Sequence, residues 1–144
     1  MKEINIYTYS RCISNNIKKP GAYVVKLEYR GVFKHIDGFI ENTTSNRLLI
    51  KGMIEGIKTL KEPCKINMYV QTKVGFGKIF TNEGKYKEVN PNKINGDLLN
   101  ELSKVLSEGG HAINEIITTD HVNELKLYLK KYNDEFNKYE NINN

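Results

Sequence analysis

Three histidines, two cysteines and seventeen acids are the side chains from which this 144-residue sequence would have to build catalytic or metal chemistry. Cys12 and Cys64 stand far apart, with no CxxC or Cys/His spacing, so no metal site is expected from them. Two buried thiols are favoured over a disulfide. His35 alternates within strand-like sequence and His111 follows a Gly-Gly turn, each without a nameable partner. His121 stands between Asp120 and Glu124 at what reads as a helix start. There an acid serves equally well as an N-cap or first-turn residue. No Ser-His-Asp arrangement or redox Cys pair is present, and Gly75-Phe76-Gly77 lacks the strand–glycine–helix context of a phosphate loop. No cofactor is expected.

Charge points more clearly. Twenty-two Lys and Arg against the acids leave +5 and a pI near 9.1, a balance that favours polyanions. The lysines are scattered, however, with no run of five. A hydrophobic share of 39% is ordinary for a globular protein, and no window approaches eighteen consecutive apolar residues, so no membrane span is expected. Met1-Lys2-Glu3-Ile4 runs straight into strand-like sequence without an apolar leader core, and a cytoplasmic location is expected. The length suits one domain over residues 1–140, with a frayed polar tail at 141–144.

Residues 4–9 alternate apolar and polar as a strand does. A loop over 10–21 precedes strands at 22–29 and 32–41, joined by a tight turn at Arg30-Gly31. Asn42-Thr43-Thr44-Ser45 carries N-cap chemistry, and Leu49, Met53, Ile54, Ile57 and Leu60 recur at helical spacing behind it. A fourth strand is read at 65–71, a short helix around 73–80, an amphipathic helix at 95–106, a fifth strand at 112–118 and a last helix at 121–137. Tyr128, Tyr132, Phe136 and Tyr139 form an aromatic stripe on that helix. The order β-β-β-α-β-α-α-β-α implies a mixed α/β sheet of five strands, three antiparallel and two parallel, flanked by helices.

The residues carried on this frame resemble the bacterial-type ribonuclease H family. Thr8-Tyr9-Ser10-Arg11-Cys12 is similar to its first strand, Lys19-Pro20-Gly21-Ala22-Tyr23 to its Pro/Gly loop, and Thr43-Thr44-Ser45-Asn46-Arg47-Leu48-Leu49-Ile50 to its helix entry. The similarity covers roughly residues 4–80 well and continues beyond as a helix, a strand, a histidine and a helix. It implies a ribonuclease H-like fold and metal-assisted hydrolysis of the RNA strand of an RNA–DNA hybrid. That chemistry needs several carboxylates, because two magnesium ions take hard oxygen ligands.

At the four positions matching the family's acids this sequence has Tyr9, Leu49, Gln71 and, aligning on Asn123-Glu124, Leu127. The expectation is therefore a chain that is not an enzyme and has no metal site, but binds nucleic acid, an RNA–DNA hybrid or an RNA duplex. Asn46, Thr44, Ser45, Asn15 and Asn16 would meet sugar hydroxyls. Arg11, Lys18, Lys19, Arg47, Lys51 and Lys73 would meet phosphates. His121 is counted with these nucleic-acid contacts, and the resemblance places it where the family has an assisting histidine. The alternative is a protein-interaction module, with Tyr9, Leu49 and Leu127 making an apolar patch on the same face. Residual nuclease activity through Asp120 and Glu124 ranks below both.

Overall fold

A computed structural model describes residues 1–14 and 17–143, with side chains to residue 139. Period-two alternation forms the sheet. In β1 (Lys2–Cys12), Ile4, Ile6, Thr8 and Ser10 are buried on one face, while Tyr7 and Tyr9 are half-buried on the other. β2 (Lys19–Tyr29) pairs antiparallel with β1, and β3 (Val32–Thr43) antiparallel with β2. Arg30 and Gly31 both take positive φ, 50° and 80°, the two-residue turn that matches the twist of a hairpin.

α1 (Ser45–Lys58) starts at Thr44, whose hydroxyl accepts the Arg47 N–H at 3.4 Å. The chain returns as β4 (Cys64–Val70), parallel to β1, with Lys2 opposite Cys64. α2 (Gly96–Gly109) leads to β5 (Ala112–Ile117), parallel to β4. Gly110 closes α2 at φ 67°, in the left-handed region that an L side chain avoids. Among the described residues the five strands make one mixed sheet in the order β3-β2-β1-β4-β5, as expected from the sequence. No helix among them is long and apolar enough to cross a membrane.

The expected short helix at 73–80 is a single 3₁₀ turn, Phe76–Ile79. The expected helix at 121–137 is three segments: α3 (Val122–Lys126), a 3₁₀ stretch (Leu127–Tyr132) and α4 (Asn133–Asn143). Side chains of these segments lie over alternate residues of β3. Tyr128 stacks on His35 at 4.0 Å, the Tyr132 hydroxyl donates to Asp37, and Phe136 meets Phe39 edge-on at 5.6 Å. α4 continues past residue 141, where a frayed tail was expected to begin; Asn144 lies outside the described residues.

One face of the sheet is covered by α1 and α2 over an aliphatic core that includes Ile6, Val25, Leu49, Met53, Met68 and Leu102. The other holds a smaller cluster, Ala22, Val24, Leu125, Leu129 and Phe136, ringed by Tyr7, Tyr9, Phe39, Tyr128 and Tyr132. Both cysteines are free; Cys64 is buried as expected, whereas Cys12 is only partly so.

Candidate nucleic-acid interface

The C-terminal ends of parallel strands are where open α/β sheets place ligands, because chain reversals there leave a crevice between loops. β1 and β4 end together in this molecule. Tyr9 lies near the end of β1, Gln71 follows β4, Thr119 follows β5, and Ser45 and Asn46 open α1. With Thr72, Val122 and Lys126 they line an open cleft of about 620 Å³.

Two hydrogen bonds fix its floor. The Gln71 side-chain carbonyl accepts the Ser10 N–H at 3.0 Å, and the Ser10 hydroxyl donates to the Ser45 carbonyl at 3.2 Å. Burial pushes the Tyr9 hydroxyl above the ordinary phenol range, with nearby Arg11 pulling the other way, so Tyr9 is a neutral group near pH 7.

The four positions matched to the family's acids do not all meet. Tyr9 and Gln71 share the cleft. Leu49 sits one turn beyond Ser45 and Asn46 in α1, with no exposed surface, inside the aliphatic core. Leu127 is 59% exposed and lines no part of the cleft. Lys126 does, because Val122 and Lys126 are four residues apart on one helical face while the next residue turns about 100° away. The residue presented at this corner is thus Lys126, a correction to the placing of Leu127. The apolar patch imagined from Tyr9, Leu49 and Leu127 does not form, since the three occupy three different environments.

The expected contact residues divide in the same way. Ser45 and Asn46 line the cleft; Thr44 caps α1. Arg11 stands beside the cleft, its guanidinium 4.1 Å from the Phe136 ring and donating to Asn133 at 2.8 Å. Arg47 makes a two-pronged bond to Asp97 at 2.9 and 2.7 Å, which holds the Asp97 carboxyl at about 2. Lys51 pairs with Glu55 at 3.0 Å. Lys19 lies 5.1 Å from the Tyr139 ring, and Lys18 and Lys73 are exposed. Asn15 and Asn16 lie outside the described residues. His121 is 8% exposed, packed on Tyr7, with Nε2 2.8 Å from the Thr8 carbonyl. A carbonyl only accepts, so Nε2 carries the proton and the ring serves as an internal tie. Of the two substitute acids, Glu124 pairs with Lys26 at 2.7 Å and Asp120 is exposed; neither lines the cleft.

The cleft residues do not fit a pair of magnesium ions. Its lining has no carboxylate, the Gln71 carbonyl is already engaged, and an ammonium group faces the space. Among the described residues no three His, Cys, Asp or Glu group to hold any metal.

No family model matches the chain. Ribonuclease H of Campylobacter jejuni is 33% identical over 147 residues, covering 94% of this chain and 99% of that protein. Ribonuclease H of Caldicellulosiruptor saccharolyticus is 47% identical over 72 residues, 50% of this chain and 48% of that protein, so this match spans about half of the relative's length. LC9-RNase H1, described as a type 1 RNase H with the type 2 active-site motif, superposes with a TM-score of 0.64 at 17% identity over 84% of this chain and 64% of that one. LC11-RNase H1 in complex with an RNA/DNA hybrid gives 0.60 at 15% over 85% and 93%. At these identities the structural likeness is one of fold.

These relatives overturn the expectation that the chain is not an enzyme. A protein aligned over nearly its whole length carries an enzyme's name, and the replacements at Tyr9, Leu49, Gln71 and Leu127 do not show that catalysis is lost.

Proposed function

The chain belongs to the ribonuclease H family, and we propose that it engages an RNA–DNA hybrid or an RNA duplex across the cleft at the ends of β1 and β4. The observation that carries this is the lining itself. Tyr9, Ser45, Asn46, Gln71, Thr72 and Thr119 present hydroxyl and amide groups with no carboxylate among them. Such groups both give and take hydrogen bonds, which matches the 2′-hydroxyl that distinguishes an RNA strand. A relative in fold binds an RNA/DNA hybrid, which favours the same class of ligand here.

Ser45, Asn46 and Arg11 are retained as contact residues, with Lys18, Lys19 and Lys73 as flanking cations. Arg47, Lys51 and His121 are left out, because each is engaged inside the protein.

The test is a titration of labelled hybrid, RNA duplex, DNA duplex and single strands at two salt concentrations with magnesium present, the strands then run on a denaturing gel. Tighter binding of hybrid and RNA duplex than of DNA duplex, weakening with salt, is the expected result. Absence of binding at low salt, or a preference for DNA duplex, overturns the reading. The gel reads the family's reaction in the same tube.

A further inference from the structure

A second, smaller cleft of about 370 Å³ adjoins the first and shares Tyr9 and Lys126 with it; Arg11, Leu129, Lys130 and Asn133 complete its lining. We infer that the two clefts form one anion site, in which Lys126, Lys130 and Arg11 hold a backbone phosphodiester of the bound nucleic acid without a metal ion. This rests on the hybrid-binding reading above and adds where the phosphate charge is met.

Three observations converge. Neither cleft is lined by a carboxylate, so an anion entering either meets cations and neutral donors alone. Lys126 and Lys130 are four residues apart, both exposed, and among the described residues neither has a hydrogen-bond or ion-pair partner. Most other cations near this side are spent: Lys26 on Glu124, Lys131 on Asp37, Arg47 on Asp97 and Lys51 on Glu55. Arg11 is held in place at one end only. Its Nη1 donates to Asn133 and its plane lies over Phe136, while its other donors have no partner among the described residues. Two unpaired ammonium groups and an oriented guanidinium line the clefts on either side of one phenol, and the same charges oppose a dication in that place.

The experiment is a fluorescence-anisotropy titration of labelled hybrid in chelator, at about 50 and 200 mM salt. It compares the unaltered chain with Lys126→Ala, Lys130→Ala, the double variant, Lys126→Arg, and Lys104→Ala on α2 as control. Each lost phosphate contact lowers the salt slope by about one, so each single alanine variant should lose roughly 3.5-fold less affinity over that fourfold salt range than the parent does. Lys126→Arg and Lys104→Ala should keep the parent's slope. All the altered residues are exposed, and circular dichroism confirms an unchanged fold. Inorganic phosphate should displace hybrid no better than chloride at equal ionic strength. Hybrid binding with an unchanged slope in the double variant overturns the phosphate site alone. A hybrid that never binds the parent overturns the phosphate site together with the hybrid half of the reading beneath it. Displacement by inorganic phosphate beyond the ionic-strength effect overturns the phosphodiester assignment in favour of a small free anion.

Discussion

The two faces of the sheet are held by different means. Beneath α1 and α2, mainly aliphatic side chains from β1, β2 and β4 meet a helix stripe, and the buried polar groups Thr8, Ser10, Ser103 and His111 are each hydrogen-bonded. Beneath α3 and α4, rings stack on alternate residues of β3, and charged pairs such as Lys131 with Asp37 finish the edge. The candidate site lies where these two kinds of packing meet: Ser45 and Asn46 come from the first face, Val122 and Lys126 from the second. A close-packed aliphatic layer fixes position through volume, whereas the ringed layer depends on a few individual contacts. Damage to the first should reach the whole molecule, and damage to the second should stay near the cleft.

The sharpest way to break the comparison is Leu49→Glu. It places a carboxylate in a fully buried aliphatic site and should cost about 3–5 kcal/mol, as an uncompensated buried charge does, read by urea unfolding at neutral pH. A loss below about 1 kcal/mol would mean that the new carboxylate escapes the core toward the cleft, and would erase the contrast between the faces. Phe136→Ala on the second face should cost about 3 kcal/mol, at the low end for such a truncation because this cluster is small and near the surface. Hydrogen exchange should then accelerate in α4 while α1 keeps its protection; loss of protection in both would show that the faces unfold as one.

A smaller effect follows pH. His111 lies buried with Nδ1 accepting the Cys64 N–H at 3.0 Å, and burial lowers its pKa below the usual 6.5; His35 is lowered in the same direction. A lowered histidine pKa contributes stability that is full above about 6.5 and is lost as pH falls below it. The urea midpoint should therefore drop between pH 7.5 and 5.5, and less so in His111→Asn, where the first face contributes no titrating ring. Equal midpoints at the two pH values would refute this. The smallest expected effect is Arg47→Ala, below about 1 kcal/mol, since the pair with Asp97 is partly solvated. The Asp97 carboxyl is depressed from 3.8 to about 2, so the contribution of the pair is present above about 3.8 and disappears as pH falls through 2. Acid unfolding of the two proteins should converge below that point.

The first face was the legible one. Alternation in β1, the Asn42-Thr43-Thr44-Ser45 cap and the Leu49–Met53–Ile57 spacing each carry a period, and a period survives in a sequence read alone. The second face reads as an aromatic stripe, but not as a change to 3₁₀ pitch, because the β3 residues it packs on lie more than ninety residues away and leave no local pattern. At the site, Tyr9, Gln71, Ser45 and Asn46 were found because turn and cap chemistry marks the ends of elements. Lys126 was missed in favour of Leu127, since a displacement of one residue on a helix turns the side chain by about 100°. Its four-residue spacing from Val122 was the signal available. Arg47 was counted as free for phosphate because its partner Asp97 is fifty residues distant, and no local pattern announces such a pair.

The parallel register of β1 and β4 also settles the covalent future of the molecule. Cys64 stands opposite Lys2 at one end of β1 and Cys12 closes the other, about 33 Å along the strand. Sulfur atoms must come from Cα positions within about 7 Å to bond. Oxidation therefore cannot staple this fold from within, and any disulfide must form between molecules, first at the partly exposed Cys12 and not at the sheltered Cys64. The same separation makes the pair a ready ruler: a probe on each thiol, the inner one attached in denaturant before refolding, would report whether the long axis of the sheet keeps its length when a ligand occupies the cleft.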